Sequence, residues 1–157
     1  MDQQTYGGLT LSKEANAVKK KYLKSYLMEK SYEATLQEAL DKLIADDQRQ
    51  AIRYDKISVM SSPSGDLSDR IVKLEELTAE LRKSIKESAD IQQDILRRIK
   101  RMPEDKKDLR KILIERYIIG GRDGKEKRWQ EIADIMGYTE RHVQNLHGDA
   151  LELFPYP

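Results

Sequence analysis

The sequence contains no cysteine. This absence excludes a disulfide framework and any metal site built from thiolates. It fits a reducing compartment, and we therefore expect the protein in the cytoplasm. The first residues, MDQQTYGGLT, lack an apolar stretch behind a basic leader, so we expect no secretory signal peptide. Because no apolar run approaches the roughly 20 residues that cross a bilayer, we also expect no membrane partner.

Apolar residues are scarce in this chain. Hydrophobic residues make up 38% of the sequence and charged residues 36%. This balance is poor in apolar residues for a compact globule and is typical of long helices that bury only a narrow stripe. We therefore predict an all-α fold. The net charge of +1 indicates no class of partner by itself, whereas the distribution of the charges is informative.

Proline and glycine are both missing between Leu11 and Tyr54. Apolar residues in this segment mostly recur three or four positions apart, which predicts one long helix, or two helices with a break near Ser31. The start of the segment is basic, with lysines at positions 13, 19, 20, 21 and 24. We expect residues 1–10, which are polar and contain glycine, to form a flexible N-terminus.

The stretch Ser61-Ser62-Pro63-Ser64-Gly65 is the clearest helix breaker in the sequence. A second long helix is predicted from Leu67 to Met102, because its apolar residues fall on one heptad grid. The grid holds Leu67, Ile71, Leu74, Leu81, Ile85, Ile95, Ile99 and Met102, with Thr78, Ser88 and Gln92 at its other positions. We expect residues 11–102 to form a long, coiled-coil-like helical hairpin with its turn near residues 55–66. Pairing of these helices between chains, which would give a homo-oligomer, is the alternative.

Residues 103–157 are predicted to form a separate domain. Pro103 suits the first turn of a helix that continues to Gly120, and the stretch GGRDGKEK then predicts a flexible basic loop. Residues 97–128 contain thirteen Lys or Arg against six Asp or Glu, a net charge of +7. Residues 129–157 contain one basic and five acidic residues, a net charge of −4. Attraction to phosphate would therefore come from the first of these segments, unless its charges only form a solvated surface.

The stretch WQEIADIMGYTERHVQNLHGDALELF, residues 129–154, predicts two short helices joined by a tight turn. Gly137 stands where a helix end requires a left-handed residue, and Thr139 is a suitable N-cap for the second helix, residues 139–153. Apolar faces are formed by Ile132, Ala133 and Met136 in the first helix and by Val143, Leu146, Ala150 and Leu153 in the second. This is the helix-turn-helix pattern, whose second helix can enter the major groove of DNA. A plain helical hairpin with solvated polar residues is the alternative.

Four polar residues remain on the outer face of the second helix: Glu140, Arg141, Gln144 and Asn145. These are residue types that read base edges in the major groove. We predict phosphate contacts for Lys125, Lys127 and Arg128 in the basic loop, and for Thr139 and His142 at the start of the second helix.

No constellation in the sequence indicates an enzyme, a metal site or a cofactor. His142 and His147 are the only histidines, and residues five apart on a helix point about 140° away from each other. We predict a packing or capping role for His147. The stretch GGRDGKEK lacks the residue order of a nucleotide-binding P-loop.

The segment from Leu109 to Phe154 resembles region 4 of bacterial sigma factors. The shared pattern consists of Arg116-Tyr117, Trp129, Glu131-Ile132-Ala133, Met136-Gly137, Thr139, Val143 and Ala150-Leu151. The chain resembles more closely a phage-encoded group of late-gene transcription regulators, the RinA/ArpU-like group. That group shares the closing pattern Arg141-His142-Val143, Leu146-His147-Gly148 and Ala150-Leu151, and the earlier stretch Tyr54-Asp55-Lys56, Ser61-Ser62-Pro63 and Asp66. The resemblance covers roughly residues 50–154.

This resemblance implies a sequence-specific DNA-binding transcription regulator in a bacterial host cell. It implies that Glu140, Arg141, Gln144 and Asn145 enter the groove of double-stranded DNA, and that host RNA polymerase is a further partner. The N-terminal hairpin would then serve self-association or the polymerase contact. Two departures matter: the basic loop is longer than the usual sigma-factor turn, and the sigma domain that melts promoter DNA has no counterpart. A small terminase subunit that marks viral DNA and a coiled-coil scaffold without DNA binding are the alternatives.

Overall fold

The computed structural model describes the backbone of residues 5–56 and 64–156, and side chains at residues 12–53 and 67–156. All regular elements in these ranges are helical, which confirms the predicted all-α class. The helices are α1 (Thr5–Lys56), α2 (Ser64–Lys100), α3 (Lys107–Leu113), α4 (Trp129–Met136) and α5 (Glu140–Leu153). A π-helical segment, Ile114–Ile119, continues α3.

Helix α1 runs without a break through Ser31, so the single long helix is the correct one of the two alternatives. It begins at Thr5 and therefore includes residues 5–10, for which the sequence analysis expected a flexible N-terminus. Gly7 and Gly8 lower helix propensity, but glycine does not block a helix as proline does. The predicted turn near 55–66 includes residues 57–63, which lie outside the described residues.

The chain divides into two compact units: Met1–Glu29 with Ser88–Pro157, and Lys30–Glu87. This division differs from the predicted boundary between residues 102 and 103. The reason is a shared core, in which the first part of α1 and the last part of α2 pack with the C-terminal helices. Its buried members are Leu23, Tyr26, Leu27, Ile95, Ile99, Met102, Leu109, Leu113, Tyr117, Ala150, Leu151 and Phe154.

Within the unit Lys30–Glu87, α1 and α2 run antiparallel. Tyr32, early in this part of α1, donates its hydroxyl hydrogen to Glu80, late in this part of α2. Arg70, early in α2, lies 3.2 Å from Asp47, late in α1. Each helix therefore contacts the other in reverse sequence order. Such pairing within one chain is what the predicted hairpin requires.

The heptad grid predicted for α2 is only partly buried. Leu67, Ile71 and Ile85 are 62%, 50% and 48% exposed, whereas Ser84, which is not on the grid, is 3% exposed. In this part of α2, Leu81 and Ser84 are buried, whereas Ile71 and Ile85 are half exposed. One partner helix covers a limited arc of α2, and which rows fill that arc depends on the partner's side chains. The period of the pattern alone does not decide this.

Candidate nucleic-acid interface

The turn between α4 and α5 has the geometry that the sequence predicted. Gly137 is left-handed, with φ of 70°, and its neighbour Tyr138 donates its backbone N–H to the carbonyl of Ala133 at 3.0 Å. Thr139 then caps α5, because its side-chain oxygen accepts a hydrogen bond from the backbone N–H of His142 at 3.3 Å. The direction of α5 is therefore set by two local signals, a left-handed glycine and an N-cap.

A small buried cluster holds α4 and α5 against the helix that precedes them. Ile112 of α3, Ile132 and Ala133 of α4, and Val143 of α5 are each at most 1% exposed. Ala133 lets the two short helices approach closely, since its side chain is a single methyl group. The cluster fixes which side of α5 faces inward.

The four predicted base-reading residues, Glu140, Arg141, Gln144 and Asn145, are all exposed on α5. The amide nitrogen of Gln144 donates to the carboxylate of Glu140 at 3.1 Å, as expected for residues four apart on one helix face. The structure therefore brings the four side chains together on the solvent side of a firmly packed helix.

The stretch Gly120–Arg128, predicted as a flexible basic loop, forms a turn that is closed by backbone hydrogen bonds. The backbone N–H of Gly121 donates to the carbonyl of Lys125 at 2.7 Å, and that of Gly124 donates to the carbonyl of Gly121 at 3.2 Å. The carboxylate of Asp123 accepts from the backbone N–H of Lys125 at 3.2 Å. Glycine is needed at Gly120, which has φ of 68° and would place a Cβ atom 2.9 Å from Leu27.

The three cations predicted to contact phosphate have different environments. Lys125 and Arg128 are exposed, whereas the Lys127 side chain is 12% exposed and forms an ion pair with Glu115. The ammonium of Lys127 is therefore held by the protein, and we remove it from the set of candidate phosphate contacts. Arg122, which sequence reasoning missed, is exposed on the same turn and replaces Lys127 as a candidate phosphate contact. Its only signal in the sequence is a positive charge beside glycines.

The remaining two phosphate candidates lie at the start of α5. Thr139 is exposed, but its side-chain oxygen already caps the helix. His142 is exposed, and its ring packs edge-on against Tyr138 with 4.9 Å between ring centroids. Tyr138 in turn donates its hydroxyl hydrogen to Asp108 at 2.8 Å. His142 is thus positioned by the turn and stays accessible to solvent.

Arg116 connects the turn to α4. Its guanidinium lies 3.6 Å from the centroid of the Trp129 ring and donates a hydrogen bond to the carbonyl of Lys127 at 2.6 Å. Glu126 lies 2.6 Å from the ammonium of Lys24 on α1. Burial acts to raise the pKa of Glu126, but the hydrogen bond and charge of Lys24, with the charge of Arg116, outweigh it and lower the pKa. These contacts join the turn to α1 and to Trp129 at the start of α4.

The basic start of α1 also supports α5, which sequence reasoning did not foresee. The ammonium of Lys19 donates to the carbonyl of Leu151 at 2.7 Å and to that of Glu152 at 3.2 Å. A cation at a helix C-terminus satisfies carbonyls that lack partners within the helix and opposes the helix dipole. Contacts between residues this far apart in the chain leave no local pattern in the sequence.

His147 is a buried packing residue, one of the two roles predicted for it. Its Nε2 lies 2.9 Å from the hydroxyl of Tyr117, and its ring packs edge-on against Trp129. Burial, with the charges of Arg116 and Lys20, lowers the pKa of His147 to about 3. His142 lies on the exposed side of the same helix, so the two rings do not converge on one point. In the part of the chain with described side chains, no three histidine or carboxylate groups are close enough to hold a metal ion.

Comparison of the chain with protein-family models, curated proteins and solved structures finds no match. The candidate site therefore rests on the geometry of this chain. None of the helices within the described ranges is both long enough and apolar enough to cross a membrane.

Proposed function

We propose that this protein is a sequence-specific regulator of transcription that binds double-stranded DNA with α5 in the major groove. The observation that carries the proposal is the exposed group Glu140, Arg141, Gln144 and Asn145 on a helix whose opposite side is buried. Arginine reads guanine, glutamine and asparagine read adenine, and glutamate reads cytosine. The predicted resemblance to phage late-gene regulators extends the proposal to activation of late genes in a bacterial host.

Phosphate contacts in this proposal come from the turn that precedes α4. Arg122, Lys125 and Arg128 are exposed there, close in sequence to a helix pair that is itself acidic. Phosphate contacts position a protein on the duplex without reading its sequence, and a small module depends on them for affinity. Thr139 and His142 at the start of α5 would add contacts at the edge of the groove.

The second part of the proposal is self-association through the long helices. Contact with host RNA polymerase is the other role proposed for these helices. Ile71 and Ile85 are half exposed on α2 and occupy one row of its heptad grid, where a second copy of the chain could cover them. We expect sedimentation of the full chain to show an oligomer, and Ile71→Gln with Ile85→Gln to lower its mass. A monomer at all concentrations would contradict this part.

Selection of bound duplexes from a random library, with the full chain at low salt, tests the DNA-binding function. We expect enrichment of one short sequence. Binding without enrichment would show electrostatic attraction to DNA without sequence specificity. The absence of binding would refute the proposal and favour a scaffold protein. If an enriched sequence is bound by a large ring of subunits, a packaging protein of the small terminase type becomes the better assignment.

A further inference from the structure

Gly148 lies in the middle of α5, where glycine is among the least favourable residues. The helix runs from Glu140 to Leu153, and Gly148 is in its third turn. Glycine in a helix interior loses more backbone entropy on folding than alanine does and adds no packing. A glycine at such a position calls for a specific reason.

The fold supplies no such reason. Gly148 is not among the glycines with positive φ, and a Cβ atom built on it would meet nothing within 4 Å. Gly120 differs, since its φ is 68° and a Cβ atom there would lie 2.9 Å from Leu27. Gly137 differs as well, because its left-handed conformation ends α4. Alanine at position 148 would therefore fit the folded chain and strengthen the helix.

The position of Gly148 points to the candidate interface. It follows Asn145 by three residues and Gln144 by four, and residues at these spacings are neighbours on one helix face. Gly148 is partly exposed, while Val143, His147 and Ala150 on the other side of α5 are buried. The outer face of α5 thus lacks a side chain next to the residues assigned to base reading.

We propose that Gly148 is a further contact of α5 with DNA, where the bare helix backbone meets the duplex at van der Waals distance. This inference rests on the proposed function. Glycine is used where a backbone must approach a ligand closely, because no Cβ atom stands between them. The exposed carboxylate of Glu152, four residues after Gly148 on the same helix face, would repel a phosphate, so the group that meets Gly148 is the uncharged edge of a base or sugar.

Gly148→Ala tests the inference with two measurements on the full chain. The melting temperature should rise by about 2–4 °C, because alanine is the better helix former. Affinity for the duplex selected with the wild-type chain should fall about tenfold or more, because the methyl group overfills the contact. Gly148→Leu should reduce affinity further. Ala79→Leu, at an exposed position on α2, adds a side chain far along the sequence from α5 and should leave affinity unchanged.

Each result decides the matter. A wild-type chain that binds the selected duplex and a Gly148→Ala variant that binds it equally well would overturn this inference alone. A lower melting temperature for Gly148→Ala would show that the fold requires the glycine, and would also overturn it. A wild-type chain that binds no duplex would refute the proposed function together with the inference.

Discussion

The hydroxyl of Tyr117 and Nε2 of His147 lie 2.9 Å apart, and both side chains are buried. Tyr117 belongs to the π-helical segment that continues α3, and His147 belongs to α5. Burial raises the pKa of Tyr117 to about 12, and burial first, then nearby positive charges, lowers the pKa of His147 to about 3. The bond therefore joins two neutral groups and fixes the rotation of α5 that leaves its polar face outward.

The burial of His147, with the nearby charges of Arg116 and Lys20, makes folding stability depend on pH. His147 has a reference pKa of 6.5 and a folded-state pKa of about 3, so the unfolded chain binds a proton between these values that the folded chain does not. Its contribution to stability is complete above about pH 6.5 and is lost as the pH falls toward 3. We predict a loss of about 2 kcal/mol in the free energy of unfolding between pH 7 and pH 5, measured by urea denaturation at each pH.

The second histidine provides the matched control. His142 is exposed on the same helix, so His142→Gln should leave this loss of stability unchanged. His147→Gln should remove most of the pH dependence between pH 7 and pH 5. Equal urea midpoints for the wild-type chain at the two pH values would show that His147 does not stay neutral in the folded protein.

Two glycines of the turn Gly120–Arg128 allow a second test. Both have positive φ, 68° for Gly120 and 74° for Gly124, but only a Cβ atom at Gly120 would meet other atoms, Leu27 at 2.9 Å and the Lys125 carbonyl at 3.0 Å. We predict that Gly124→Ala destabilises by about 1–2 kcal/mol and Gly120→Ala by roughly 1–3 kcal/mol more. Thermal unfolding of both variants checks this. Equal melting temperatures for the two variants would contradict the prediction and show that Leu27 moves aside without a cost in folding free energy.

The salt dependence of DNA binding tests the assignment of phosphate contacts. Lys125→Gln with Arg128→Gln should reduce the slope of log affinity against log salt by about 0.9 for each phosphate that is no longer neutralised, at most about 1.8 for both. Lys127→Gln should leave the slope unchanged and lower stability, because Lys127 is paired with Glu115. A reduced slope for Lys127→Gln with no change for the double variant would reverse our assignment.

The sequence predicted the helices and the turn between α4 and α5 because their signals are local. Gly137 and Thr139 act through their own backbone and nearest neighbours, so their roles can be inferred from residue type and position. Gln144 and Arg141 could be placed on the exposed side because Val143 and its apolar partners define the buried side. Whether that exposed side binds DNA stays a prediction.

Other features could not be predicted, since they depend on contacts between distant residues. From the sequence alone, Lys127 was expected to be a solvated cation, and only the fold places it beside Glu115. Lys19 precedes the carbonyl of Leu151 by 132 positions. The heptad grid of α2 gives a period but not an orientation, which is why Ile85 was expected in the seam and Ser84 was not.

The central claim is that α5 reads bases, and a pair of glutamines tests it most directly. Gln144 on α5 bonds Glu140 at 3.1 Å, and Gln130 on α4 bonds Asp134 at 3.0 Å, so each exposed glutamine donates to a carboxylate four residues away. Affinities of Gln144→Ala and Gln130→Ala should be measured for the selected duplex and for random DNA. We predict that Gln144→Ala loses about 1–3 kcal/mol at the selected duplex and little on random DNA, whereas Gln130→Ala loses nothing on either. Equal losses for Gln144→Ala on both DNAs, or no loss on either, would contradict the claim.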